Sequence, residues 1–135
     1  MGNTELKVTD FCLGTMTWGE QTDELDAHKQ IEMSLDAGIN FIDTAEMYPV
    51  CPLRAETTGD TERILGNWLG KNLQKRKELV IATKISGKGY KNVRNGKGIF
   101  PKEIRLAIEG SLKNLQTDYI AVSYTHLTLP TNREV

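Results

Sequence analysis

Apolar and polar positions along the chain alternate between two spacings. Phe41-Ile42 running into Asp43, and Leu79-Val80-Ile81-Ala82 running into Thr83 and Lys84, are short apolar stretches that end in polar residues. Stretches of that length without alternation are the mark of strands buried on both faces, as in a parallel sheet. Around them the apolar residues recur every three or four positions. Residues 101–115 place Ile104, Ile108, Leu112 and Leu115 on one helical face, with Pro101 suited to the first helical position. Residues 24–37 predict an earlier helix with Leu25, Ile31 and Leu35 turned inward and Gly38 as its C-terminal cap. Residues 61–73 predict another, with Ile64, Leu65, Trp68 and Leu69 as its apolar stripe. With a first strand at 11–13 and a fourth beginning near Tyr119, the order is strand and helix in strict alternation, hence a parallel sheet covered by helices. A closed (β/α)8 barrel needs about 250 residues and eight such units. These 135 residues supply fewer than four, leaving a small open α/β domain or a truncated barrel.

Composition narrows the class of partner more than the fold. A formal charge of -1, from 17 basic and 18 acidic residues, gives no bulk attraction to nucleic acid or to an anionic membrane. No apolar run approaches the roughly 20 residues of a membrane span, and the first ten residues lack the apolar segment of a signal peptide, so a cytoplasmic location is expected. Cys12 and Cys51 stand far apart with no histidine at zinc-ligand spacing, and both are expected to be reduced thiols. The loop SGKGYKNVRNGKG, residues 86–98, carries Lys88, Lys91, Arg94 and Lys97 without an acid, but lacks phosphate-loop spacing and predicts a solvated loop. Residues 71–78 read as an exposed helix end, and His28 as a solvent-facing helical residue.

In parallel α/β folds, ligands and reactive groups gather at the carboxyl ends of the strands. Asp43 and Lys84 both occupy such ends, and Tyr48 follows Asp43 by five residues, close enough to turn its phenol over the same face. A tyrosine, with an ordinary pKa of about 10, becomes a useful proton donor at neutral pH only beside a cation that favours its ionised form. Lys84 is placed to be that cation and Asp43 to hold it. Each residue taken singly also fits a bland role, as a cap, a solvated tip or a packing ring.

The strings that carry these residues match a known pattern. GINFIDTAEMY, residues 38–48, is similar to the aldo-keto reductase signature, and VIATKIS, residues 80–86, to that family's lysine strand. LGTMTWGEQ (13–21), TERILGNWL (61–69) and SLKNLQTDYI (111–120) resemble further family blocks in the same order. The likeness is closest to the branch of Tas-like reductases and potassium-channel β-subunit-like proteins. It implies the N-terminal part of a (β/α)8 TIM barrel, about three and a half βα units, over residues 1–120. It also implies NADPH-dependent reduction of a small aldehyde or ketone without a metal, Tyr48 giving the proton and Lys84 and Asp43 tuning it. Gly14, Thr15, Met16 and Asp43 would lie along the cofactor's nicotinamide end, and Trp18 would help wall the carbonyl pocket or else simply pack in the core.

The family's fourth catalytic position is a histidine after the fourth strand, and counting from Asp118 places His126 there. Its surroundings depart from the pattern at Ala121, Ser123, Leu127 and Thr128. The tail 123–135 has no helical period and resembles translated sequencing-adapter read-through, so residues 121–135 are expected to be non-native to the family member. Two other functions stand beside the reductase: a regulatory or binding subunit that keeps the barrel, and a fragment with no activity of its own. Retention of Asp43, Tyr48 and Lys84 together favours chemistry. Oligomeric state is not legible from these residues.

Overall fold

A computed structural model of the chain describes residues 3–125. Four parallel strands, β1 (Cys12–Gly14), β2 (Phe41–Asp43), β3 (Val80–Ile85) and β4 (Val122–Thr125), lie side by side in that order. They are joined by three helices, α1 (Glu24–Asp36), α2 (Asp60–Lys71) and α3 (Pro101–Asn114). The chain has the fold of the opening portion of a (β/α)8 barrel, three βα units followed by a fourth strand. Among the described residues no helix is long and apolar enough to cross a membrane. The fourth strand starts at Val122 rather than near Tyr119, and pairs with β3 from within the segment 121–135.

Pleating assigns the two faces of the sheet. Gly14 pairs with Asp43, Asp43 with Ala82, and Ala82 with Val122, so these four share one row and one face. Cys12 with Phe41, and Lys84 with Tyr124, belong to the same face one step along each strand. Leu13, Ile42 and Ile81 point the other way, into a core they build with Ala27 and Ile31 of α1, Ile64, Leu65, Trp68 and Leu69 of α2, and Leu115. Asp43 and Lys84 are thus turned away from the helices, toward the side that is the interior of a barrel.

Helix boundaries follow their local chemistry. Asp23 caps α1 by accepting from the Asp26 amide at 2.9 Å, and Glu24 and Asp26 place negative charge in its first turn. Gly38, at φ +77, turns the chain out of α1, a conformation that costs a side-chain-bearing residue. The inward stripe of α1 is Ala27, Ile31 and Leu35, whereas Leu25, expected inside, is 66% exposed. At 3.6 residues per turn Leu25 stands about 200° around the helix from Ala27, and the small alanine was the true member of the stripe. All four predicted residues of α2 are buried.

On α3 the buried line is Glu103, Ala107, Ser111 and Leu115, and the predicted Ile104, Ile108 and Leu112 are only half-buried. Periodicity placed the stripe one residue too far along because two of its true members are polar and carry their own partners. The segment Leu73–Glu78, expected to be an exposed helix end, is a 3-10 turn built around a buried arginine. Arg76 donates to the carbonyls of Leu79 and Tyr119, each at 2.8 Å, and to Thr117 Oγ1 at 2.9 Å. Its guanidinium also lies 3.7 Å from the centre of the Tyr119 ring, within cation–π range.

A second buried ionisable group lies on α2. Glu62, fully buried on α2, accepts from Thr83 Oγ1 at 2.7 Å and from Asn114 Nδ2 at 3.2 Å. Burial pushes its carboxyl above the ordinary range, its hydrogen bonds opposing that shift in part. The folded protein therefore holds this proton more tightly than the unfolded chain, and stability falls as pH rises from the unfolded value of 4.5 through the raised folded one. In a protein carrying this chain within a complete barrel, Glu62→Gln is expected to remove that decline. Urea midpoints of both proteins measured across the same pH series check it, and parallel curves would refute it.

Candidate active site

The residues expected to act together do meet. Lys84, at the carboxyl end of β3 and only 8% exposed, donates from Nζ to Asp43 Oδ2 at 2.5 Å and to the Thr44 carbonyl at 2.8 Å. The same ammonium sits 4.8 Å from the centre of the Tyr48 ring, within cation–π range. An ionic partner, a carbonyl and an aromatic face together fix the buried lysine head.

The backbone explains why Tyr48 returns to the sheet. Hydrogen bonding continues past the end of β2, with the amides of Thr44 and Glu46 donating to the carbonyls of Ala82 at 2.9 Å and Lys84 at 3.2 Å. The chain then turns, Tyr48 N–H donating to the Ala45 carbonyl at 3.1 Å, while the Tyr48 carbonyl accepts from the Gly59 amide at 2.9 Å. Tyr48 is therefore held between the end of β2 and the start of α2, half-buried against Ala45, Met47 and Val93.

The remaining expected residues divide. Gly14 lies opposite Asp43 in the register, and a side chain there would meet nothing within 4 Å, so β1 offers an open shelf beside the carboxylate. Met16, 40% exposed, follows on the same loop. Thr15 is not on that shelf. It is fully buried and its hydroxyl donates to the Asp43 carbonyl at 2.8 Å, which makes it a strut between β1 and β2. Trp18 takes the packing role of its two alternatives: it is 1% exposed inside the main core, and its indole N–H donates to Gln30 Oε1 at 2.9 Å. His126 lies outside the described residues.

Three further expectations are corrected or refined by contacts. His28 is not solvent-facing, since its Nε2 lies 2.9 Å from the Ile64 carbonyl of α2 with a side chain 17% exposed. Cys12 and Cys51 are free thiols; Cys12 is exposed, and partial desolvation of its thiol followed by the Asp43 charge pushes it above its ordinary value, with Lys84 offsetting part. A thiol so shifted is a weak nucleophile.

The basic loop is only partly solvated. Lys88 and Lys91 are exposed, but Arg94 donates to Glu46 Oε1 at 2.6 Å and to the Ser86 carbonyl at 2.7 Å. The Glu46 hydrogen bond pushes the Arg94 guanidinium above its ordinary value. Sequence reasoning missed this pair because Arg94 sits among lysines and its partner is remote in the chain. Glu46 did stand inside the quoted motif, between Asp43 and Tyr48.

Known proteins share this arrangement of elements. The family model described as Aldo/keto reductase family matches residues 10–133. The chain is 47% identical over 127 residues to Protein tas of Escherichia coli (strain K12), covering 92% of this chain and 36% of that protein. It is 39% identical over 132 residues to the uncharacterized oxidoreductase YrpG of Bacillus subtilis (strain 168), covering 93% and 38%. The solved structure of PA4992 from Pseudomonas aeruginosa, described among the aldo-keto reductases, superposes with a TM-score of 0.70 at 30% identity, covering 94% of this chain and 45% of that one. The chain thus spans about a third of the length of the curated relatives it matches.

Proposed function

The chain belongs to the aldo/keto reductase family, and from that premise we propose that the protein carrying it reduces an aldehyde or ketone to an alcohol with NADPH. The observation that carries the proposal is the position of Lys84, joined to Asp43 at 2.5 Å and 4.8 Å from the Tyr48 ring. An aromatic acid beside a fixed cation at the carboxyl ends of strands is suited to proton transfer. The shelf at Gly14, open beside Asp43, fits the flat reactive end of a nicotinamide, with Met16 beyond it. Bound there, NADPH supplies the hydride that reaches the carbonyl carbon. As the carbonyl oxygen gains negative charge, the Tyr48 hydroxyl gives it a proton and completes the alcohol. Lys84 stabilises the phenolate left behind until water returns the proton, and Asp43 with the Thr44 carbonyl keeps the ammonium from swinging away. His126, one residue past the described ones, is proposed as the group that polarises the carbonyl.

The same reading places the protein in the cytoplasm, with Cys12 and Cys51 as free thiols and a small carbonyl compound as its partner. The test is loss of the NADPH absorbance on addition of small aldehydes to a protein carrying this chain within a complete barrel. Turnover supports the proposal. Tight NADPH binding without turnover would replace it with the binding-subunit reading.

The chain by itself is expected to behave differently. β1 and β4 each have one unpaired edge among the described strands, and Phe11, Cys12 and Tyr124 are exposed. Expressed as these 135 residues, it is expected to aggregate and to show no turnover. Light scattering and the same assay check this, and a monodisperse, active preparation would contradict it.

A further inference from the structure

We propose that Arg94 is a positioning residue for the proton donor: with Glu46 it clamps the loop that carries Tyr48 to the strand end that carries Lys84. The inference rests on the reductase reading above and adds to it a residue from the following loop.

The clamp converges on one carboxylate. Glu46 lies two residues before Tyr48, and its Oε1 accepts from the Ser86 amide at 2.5 Å, two residues after Lys84. The same oxygen accepts from Arg94 Nη2 at 2.6 Å, and Glu46 Oε2 accepts from Arg94 Nε at 3.2 Å. Arg94 Nη2 also donates to the Ser86 carbonyl at 2.7 Å, so one guanidinium grips both loops in a forked geometry that lysine has no means of copying. Together with the Glu46 amide on the Lys84 carbonyl, these bonds leave the Tyr48 loop little freedom to slide along β3.

The surroundings match a built device rather than a chance surface pair. Side-chain exposure is 11% for Arg94 and 9% for Glu46, well below that of an ordinary surface ion pair. Glu103 at the start of α3, 7% exposed, lies 3.8 Å from Arg94 and 3.5 Å from Lys97, so two cations face two carboxylates. Arg94 holds φ +46, a left-handed conformation uncommon for a long side chain, which persists where the contacts around it are strong enough to impose it. Val93, its neighbour in sequence, belongs to the small cluster on which Tyr48 packs, so the loop and the ring share one packing unit.

The test uses Arg94→Lys and Arg94→Met in a protein carrying the complete barrel. Loosening the donor by a fraction of an ångström is expected to lower kcat roughly tenfold in Arg94→Lys and about a hundredfold in Arg94→Met, with KM for the aldehyde and for NADPH within about twofold of wild type. Hydrogen exchange supplies a readout that does not need turnover: the Ser86 amide and those of the Tyr48 loop are expected to exchange faster in both variants, while the amides of α1 keep wild-type protection. Unchanged kcat, or a Ser86 amide as protected as in wild type, would overturn the clamp. So would accelerated exchange across α1 as well, which would mark a general loss of stability. If the wild-type protein reduces no carbonyl compound, the reductase reading fails, and the exchange comparison alone decides whether Arg94 holds the loop.

Discussion

Replacing Tyr48 by phenylalanine in a protein carrying the complete barrel is expected to cut carbonyl turnover by about 10²- to 10⁴-fold, the range for loss of a positioned proton donor. The substitution removes only the hydroxyl. The ring keeps its packing on Ala45, Met47 and Val93 and its place over the Lys84 ammonium, so the fold should hold and the melting temperature should move little. NADPH binding should be preserved as well, because the shelf at Gly14 and Asp43 does not include the phenol oxygen. Steady-state kinetics, cofactor titration and thermal melts together check the three parts. Lys84→Met makes a contrasting control: it strands the Asp43 carboxylate without its 2.5 Å partner, and is expected to lose both activity and stability. A Tyr48→Phe protein with full turnover would remove Tyr48 from the chemistry.

The largest expected stability effect falls at Gly66, on the face of α2 that meets the end of α3. A methyl group there would lie 2.0 Å from the Asn114 carbonyl oxygen and 3.0 Å from the carbonyl carbons of Asn114 and Leu115, all backbone atoms. Relief requires moving the end of α3, and with it Leu115, which is fully buried in the main core. Gly66→Ala is therefore expected to destabilise by about 2–4 kcal/mol, against the roughly 0.5–1 kcal/mol gain that alanine ordinarily brings to a helix. Gly110→Ala, on α3 with nothing within 4 Å of the added carbon, should show that ordinary gain. Opposite signs in urea denaturation of the two variants support the close approach of α2 to α3. Like signs would contradict it.

Much of this architecture was legible from the chain because strands buried on both faces read as apolar runs and helices as periodic stripes. Val80–Ile85, buried at every position, is the clearest case. Asp43, Tyr48 and Lys84 were legible because each closes or follows a strand, and because the strings around them resemble a family pattern. What escaped was carried by polar residues buried through distant partners. Glu103 and Ser111 belong to the buried line of α3, yet nothing in the local pattern marks a glutamate as inward. Arg76 reads as part of a basic surface run until Leu79, Thr117 and Tyr119 are brought to it by the fold. Arg94 is the same case at the site, since its partner Glu46 lies on the preceding loop. Thr15 and Trp18 show the converse: residues quoted within a functional string act here as a strut and as core.

The most direct test of the central claim follows the hydride and the proton separately. NADPH deuterated at its transferable position, mixed with an aldehyde and a protein carrying this chain within a complete barrel, should give an alcohol labelled at the former carbonyl carbon. Tyr48→Phe should form that labelled product at least about a hundredfold more slowly. Deuterium appearing in solvent, no alcohol formed, or equal rates for the two proteins would contradict the assignment of Asp43, Tyr48 and Lys84 as a reductase site.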